Sequence, residues 1–422
     1  MARLYFNEII DTNKRDRIIY QVRELADNVF TSQLSQVNTS LAQGLPGVCL
    51  FYAELDSIFV DEGWDKRAHR LLKEINDNLS FESENLSLFT GITGVSLAVR
   101  ALSKGGTRYE QFLHNINKII EVVLNKKLKI ALNNIEGSVK IEDYDVINGL
   151  AGIGRFLLLH PEIPNFKSLL KEILRYMVML SRSGVQNNIK IPNWRINAEN
   201  SKKYIDYNFD AFNNGMAHGI SGPLSLLALA QMKGIEVNGS KEAIENISQW
   251  LLSWKQEDTF GPMFPEFITL EELSEGGINN NVSPYGGWCY GETGIARSLW
   301  LAGKALNNEA IKRVAITTFD SMVQRKENNI HSLYFCHGKA GYLYLIHIMC
   351  LETSREKYGY AHEVRLLVEE LLESYTPEKG YGDSSIKGNG DGLLNGSIGV
   401  ALVLLSLITP PNFNWPAIYL IN

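Results

Sequence analysis

Tyr334-Phe335-Cys336-His337-Gly338-Lys339-Ala340-Gly341 sets two zinc-type ligands, Cys336 and His337, directly before a Gly-x-x-Gly turn. A near copy lies upstream, Trp288-Cys289-Tyr290-Gly291-Glu292-Thr293-Gly294. Adjacent ligands are not the familiar Cys-x-x-Cys spacing, so the pair by itself says little about metal. It gains force because the same turn recurs along the chain. Gly-x-x-Gly opens an apolar segment at Gly44/Gly47, Gly91/Gly94, Gly149/Gly152, Gly219/Gly222, Gly291/Gly294, Gly338/Gly341 and Gly396/Gly399. These turns use 14 of the 35 glycines, so the pattern is an internal repeat and not background composition.

The segments after each turn, such as Val48 to Leu55 and Val400 to Leu407, are almost wholly apolar. Their length would suit a buried strand. Their Ala, Leu and Met content, and continuations such as Gly222 to Met232, predict helices buried on nearly all sides. A second kind of segment precedes each turn. Ile18 to Phe30, Arg67 to Ile75, Tyr109 to Leu124, Lys167 to Arg182, Glu242 to Trp254, Ala310 to Met322 and His362 to Leu372 repeat apolar residues at three and four. That is the mark of a helix with one wet face. Seven alternations of wet-faced and buried helices predict an all-α fold, an α/α toroid of seven outer and seven inner helices. Closure removes the ends that an open solenoid must cap. The whole chain, 1–422, then forms one domain.

In such a ring the inner helices run the same way, so the turns gather at one end around the axis. Glycine lets backbones crowd there without Cβ clashes. The residues before the first glycines are Gln43, Thr90, Asn148, His218, Tyr290, His337 and Asn395. One position earlier stand Ala42, Phe89, Ile147, Ala217, Cys289, Cys336 and Leu394. His218, Cys289, Cys336 and His337 therefore occupy equivalent places in three consecutive repeats. The long connections 126–145, 183–214 and 256–288 open at the same end, and Asn188-Ile189-Lys190-Ile191-Pro192 within them reads as a short strand. They read as walls of a substrate groove or a small strand-containing insertion, with plain surface loops as the alternative.

Hydrophobic residues at 45% and charged residues at 21% describe a globular protein, and a net charge of −6 gives no support to a nucleic-acid partner. No apolar run reaches membrane-spanning length; the longest, around Val400 to Ile408, is too short. Met1 to Asp16 lacks an apolar signal core and carries Glu8 and Asp11, so it does not read as a secretory leader. Four cysteines in so long a chain do not form a disulfide framework, and a reducing cytoplasm is the expectation. Cys49 and Cys350 lie inside apolar helices and read as core, and His347 as a packed side chain.

Cys289, Cys336 and His337 make a three-ligand zinc set with the fourth position open, the pattern of a catalytic site. Two thiolates and a neutral imidazole cancel the charge of the metal, and such a site suits activation of an incoming thiol. A water-activating hydrolase would more often use histidines and carboxylates.

The repeated turns, Trp-Cys-Tyr-Gly at 288–291, Cys-His-Gly at 336–338, Ala-His-Gly at 217–219 and Asp-Tyr-Asp-Val-Ile at 143–147 together resemble the LanC-type lanthionine synthetases. The resemblance covers almost the whole chain. It implies an α/α toroid with one zinc ion per chain at its centre. It also implies closure of thioether rings, by addition of precursor-peptide cysteine thiols to dehydroalanine or dehydrobutyrine. The substrate would be a dehydrated lanthipeptide precursor. A dehydratase and an ABC transporter would be partners in a complex at the cytoplasmic side of a membrane. Carried onto this chain, the resemblance implies zinc on Cys289, Cys336 and His337, acid/base roles for Asp145 and His218, and a site-lining Tyr290. Members carry an arginine four residues before the first zinc cysteine; here that position is Tyr285, and the arginine's role passes to no residue.

Plainer readings stand beside these. His218 could be a helix-start hydrogen-bonding residue, Asp145 the cap of the helix near Gly149, and Tyr290 wall packing. A toroidal glycoside hydrolase would need paired carboxylates near the axis, for which Asp145 and Glu292 are the candidates. A protein prenyltransferase β subunit also activates a thiol with zinc, but with a carboxylate ligand and an α-subunit partner. A non-catalytic zinc protein that binds glutathione or peptide, as LanC-like relatives suggest, is the remaining alternative.

Overall fold

A computed structural model describes residues 10–33, 37–79, 85–135, 137–205, 208–279, 282, 284–325, 329–353, 360–382 and 390–422. Residues 1–9, most of the stretch read as no secretory leader, lie outside that set. Helix dominates. The seven expected pairs are α1 (Thr12–Gln33) with α2 (Leu45–Ile58), α3 (Trp64–Asn78) with α4 (Ile92–Leu102), and α5 (Glu110–Ile135) with α7 (Leu150–Leu159) beyond the short α6 (Ile141–Tyr144). They continue with α8 (Phe166–Leu180) and α10 (Ser221–Met232), separated by α9 (Ala198–Ile205). Next come α11 (Ser240–Ser253) and α13 (Glu292–Leu306), separated by α12 (Leu270–Glu275). The last two are α14 (Glu309–Gln324) with α15 (Lys339–Thr353), and α16 (Ala361–Glu373) with α17 (Ser397–Ile408). None of these helices is long and apolar enough to cross a membrane.

The two kinds of helix differ as their sequences require. In α3 the buried side chains are Trp64, Ala68, Leu71, Leu72 and Ile75, one stripe at three and four. In α17 every residue from Ser397 to Leu407 is buried. The connection expected at 126–145 is shorter than its sequence suggests, because α5 runs on to Ile135. Leu124, Leu128 and Ala131 continue its buried stripe, while Lys126 and Lys129 ride the wet face and the half-buried Lys127 donates to the Glu142 carbonyl at 2.9 Å.

The chain divides into two compact units. The first comprises 1–85, 89–117 and 329–415, and the second 86–88, 118–328 and 416–422. In the first, the buried helices pack in the order α15, α17, α2, α4, backed by α16, α1 and α3. In the second they pack in the order α7, α10, α13, backed by α8, α11 and α14. Three small antiparallel sheets belong to the second unit. β1 (Ser183–Gln186) pairs with β2 (Ile189–Pro192), the strand anticipated at 188–192. β3 (Ala211–Asn213) pairs with β6 (Phe267–Thr269), and β4 (Gln256–Glu257) with β5 (Pro262–Met263). A cavity of about 750 Å³ opens beside the β1–β2 hairpin, lined by Lys190, Trp194, Trp250 and Trp254 among others.

The glycine turns owe their composition to close approach. Most of these glycines have negative φ, and Gly44, Gly149 and Gly291 sit in extended backbone. A Cβ on Gly294 would come within 2.1 Å of the Trp288 carbonyl oxygen, and one on Gly341 within 2.0 Å of that of Phe335. Gly47, Gly152 and Gly399 meet the residue six positions earlier in the same way. Each turn is thus folded back on its own entry strand, leaving no room for a side chain.

A collar of backbone hydrogen bonds links these entry strands. In the first unit the amide of Cys336 donates to Leu394 at 3.1 Å, that of Leu394 to Ala42 at 3.1 Å, and that of Ala42 to Phe89 at 3.0 Å. In the second, the amide of Val146 donates to Ala217 at 3.0 Å and that of Ala217 to Cys289 at 3.1 Å. Main-chain atoms thus hold six of the positions read as equivalent, at 42, 89, 217, 289, 336 and 394; in the third repeat the bonded residue is Val146, one place before the expected Ile147.

Candidate active site

The collar fixes the backbone of each candidate ligand. Gly215 adds to this for Cys289 and Tyr290: a Cβ there would lie 2.6 Å from the Cys289 carbonyl oxygen and 2.8 Å from Tyr290 Cδ1. All four cysteines are thiols. Burial pushes the Cys49 thiol well up, as suits a core residue. Cys289 of the second unit and Cys336 and His337 of the first each offer one ligand atom. Cys289 is buried and the other two are half-buried. Two sulfurs and one imidazole are a donor set suited to zinc with an open coordination place, so the group could hold that ion.

Asp145 and His218 meet in the second unit. His218 Nδ1 and Asp145 Oδ2 are 2.6 Å apart, with the carboxylate fully buried and the imidazole 28% exposed. The other Asp145 oxygen accepts from the Asn148 amide at 2.8 Å, so this residue caps the next turn and orients the histidine at once. Burial alone would lower the His218 pKa. The Asp145 hydrogen bond and charge, helped by Cys289, outweigh it and leave the imidazole above its ordinary range. The His218 and Tyr290 rings lie 6.1 Å apart, and Phe267 of β6 packs on the other ring at 5.8 Å. Burial pushes the Tyr290 hydroxyl well up, so it stays protonated.

Two carboxylates flank this cluster. The Glu266 carboxyl, on an exposed residue, is raised by partial loss of water around it, with a smaller contribution from Cys289. Glu292 begins α13, and its Oε2 accepts from the Tyr285 amide at 2.6 Å while its own amide donates to the Tyr285 carbonyl at 2.8 Å. It thereby clasps Tyr285 through both main-chain groups of that residue. The Tyr285 ring lies against Gly287, where a Cβ would meet its Cε1 at 2.6 Å.

Burial pushes Glu292 up to about 8 from 4.5, against backbone amides that pull it down. The folded chain thus holds this proton more tightly than the unfolded one. The stability that Glu292 contributes is complete below about pH 4.5 and is lost as pH rises toward 8. Thermal unfolding of Glu292→Gln, followed across this range, is expected to fall less steeply with pH than that of the unaltered chain. Parallel curves would show the carboxyl ionised throughout.

A family model described as lanthionine synthetase C-like protein matches residues 35–420. The chain belongs to this family. It is 28% identical over 382 residues to the nisin biosynthesis protein NisC of Lactococcus lactis subsp. lactis, an alignment covering 89% of this chain and 87% of that protein. Its structure matches that of nisin cyclase with a TM-score of 0.79 at 26% identity, covering 97% of this chain and 98% of the other. The fold of this lanthionine synthetase C-like protein is accordingly the α/α toroid, with the amphipathic helices outside and the buried ones within. It is an enzyme of the thioether-forming cyclase class.

Sequence reasoning about this lanthionine synthetase C-like protein missed Asn213, which accepts from the Gly215 amide at 2.9 Å. Asn213-Asn214-Gly215 is a recognisable Asx-turn signal that could have marked it. It also missed the clasp formed by Glu292, which had been weighed only as a catalytic carboxylate.

Proposed function

We propose that the enzyme closes thioether rings in a dehydrated lanthipeptide precursor, adding cysteine thiols to dehydroalanine or dehydrobutyrine. In this reading Cys289, Cys336 and His337 hold one zinc ion, which when bound supplies the Lewis acidity that keeps a substrate thiol deprotonated at neutral pH. The observation that carries the reading is the Asp145–His218 pair, built against the Cys289-Tyr290 turn.

Ring closure breaks the thiol S–H bond and the π bond of one C=C, and forms one C–S bond and one C–H bond. As sulfur joins the β-carbon, the electron pair of the double bond moves toward the carbonyl as an enolate. The α-carbon then needs a proton. With Nδ1 engaged by Asp145, His218 would deliver it from Nε2. The raised pKa keeps a useful share of the imidazole protonated near neutrality. Asp145 would hold the neutral product as the Nδ1–H tautomer until His218 takes up the proton that the next thiol releases. Tyr290, half-buried beside His218, would shape the wall and exclude water.

The bonding of the two axial carboxylate candidates favours this over glycoside hydrolysis. Both Asp145 oxygens are engaged, by His218 and Asn148, and one Glu292 oxygen accepts from the Tyr285 amide. A dehydratase must act earlier, because the acceptor alkenes arise by loss of water from serine and threonine. The transporter partner, and membrane association through it, belong to this same proposal. So does the idea that the 183–214 and 256–288 connections guide the peptide.

The direct test uses a peptide with one cysteine and one dehydroalanine, incubated with the zinc-loaded protein and then with a thiol alkylating reagent. Mass spectrometry is expected to show a product of unchanged mass that takes no alkyl group. Tight binding with full alkylation would make the protein a binder instead.

A further inference from the structure

The residue immediately before each zinc-type cysteine is a large buried aromatic, Phe335 before Cys336 and Trp288 before Cys289. Both are held by the same short stretch near the end of the described chain, the 3-10 helix Trp415–Tyr419. In the first unit the Trp415 and Phe335 rings meet edge to face with centroids 6.2 Å apart, and Tyr344 packs on Trp415 at 5.3 Å. In the second, the Trp288 indole N–H donates to the Tyr419 carbonyl at 3.1 Å, and the two rings meet edge to face at 5.1 Å.

The stretch is itself anchored at several points. Before it, both oxygens of the buried Glu54 accept backbone amides, from Asn412 at 2.9 Å and Phe413 at 3.1 Å. After it, the buried Arg297 donates through Nε to the Ile421 carbonyl at 2.6 Å. Arg155, equally buried, donates through Nε to Ala417 at 2.9 Å and through a second nitrogen to Asn422. Charge-assisted bonds from two buried guanidiniums to main-chain carbonyls of the stretch and the residues after it hold it in one place. Burial pulls Arg155 down to about 10, still charged at neutral pH.

We propose that Trp415–Tyr419 is a positioning element for the metal, Trp415 setting the Cys336 turn through Phe335 and Tyr419 setting the Cys289 turn through Trp288. The inference rests on the zinc reading above and goes beyond it, since neither residue offers a ligand. Each cysteine sulfur sits one residue from an aromatic wedge. A rotation of that wedge moves the intervening peptide, and with it the sulfur. Groups that orient metal ligands in this way typically matter 10–100-fold in affinity.

The experiment compares the unaltered chain with Tyr419→Ala, Trp415→Ala and the conservative Tyr419→Phe and Trp415→Phe. Zinc affinity is measured by competition with a chromophoric chelator. Cobalt(II) is then loaded and its visible absorption recorded, since that spectrum reports ligand geometry where a loss of overall stability would not. The alanine variants are expected to bind zinc about 10–100-fold more weakly, with a shifted cobalt spectrum. The phenylalanine variants are expected to restore both, because the ring contact and the Tyr419 carbonyl survive.

Alanine variants that stay folded and match the unaltered chain in affinity and spectrum would overturn the proposal. Should they not fold, Trp288→Phe decides. It keeps a ring but no longer donates to Tyr419, and unchanged zinc affinity there would equally overturn the role of Tyr419. Failure of the unaltered chain to take up either metal would instead remove the zinc reading itself.

Discussion

Ring formation by His218→Asn is expected to fall ~10²–10⁴-fold, with zinc content and peptide binding unchanged. Asparagine keeps a hydrogen-bonding group opposite Asp145 but has no proton to give near neutrality. The addition of sulfur would still occur, and the enolate would revert or wait for a proton from water. Asp145→Asn should lose less, since the imidazole remains while its orientation and raised pKa are lost. The sign of the pH dependence follows. If the protonated imidazole is the working form, turnover falls as pH rises through the His218 pKa, and Asp145→Asn moves that fall to lower pH. Alkylation-coupled mass spectrometry reads both rates. Wild-type turnover by zinc-loaded His218→Asn would take the residue out of the mechanism, and loss of zinc would make it a ligand.

The second large effect concerns the metal. The unaltered chain is expected to carry about one zinc ion, and Cys289→Ala with Cys336→Ala to carry none, because a single imidazole does not hold the ion. Turnover should collapse as well, since a free cysteine of pKa about 8.5 is only a few per cent thiolate at neutral pH. The double variant should nevertheless fold. Alanine already stands at the equivalent positions 42 and 217, where it makes the same main-chain bonds. Metal analysis with circular dichroism separates the outcomes, and a folded, fully zinc-loaded double variant would overthrow the ligand assignment.

The legible parts of this chain are those where one physical rule dominates. Glycine at every turn reflects main-chain crowding, and no other residue satisfies it at Gly294 or Gly341. The stripe on α3 and the unbroken apolar run of α17 report burial directly. The turn register holds at Ala217, Cys289 and Cys336 and slips by one residue only at Val146, where Ile147 was expected. What was not legible depends on contacts distant in sequence. Nothing in 409–422, with its prolines and asparagines, announces that Trp415 to Ile421 is buried or that Arg155 and Arg297 reach for it. The end of α5 was hidden by Lys126, Lys127 and Lys129, whose charges mask a buried stripe. Glu292 looked like chemistry because a carboxylate beside a cysteine usually is; its two bonds to Tyr285 make it a clasp.

The main-chain collar separates two things that most enzymes bind together. Its bonds run between amides and carbonyls, and they are made alike by alanine, phenylalanine, leucine and cysteine. Selection for folding is therefore nearly blind to which side chain occupies a collar position, and selection for chemistry is free to act there alone. A descendant that exchanged its cysteines would lose catalysis in a single step and still inherit an intact scaffold, ready for another ligand. The same indifference invites engineering. Ala42 and Leu394 are neighbours in the collar, and new donors could be written at those two places without redrawing the fold.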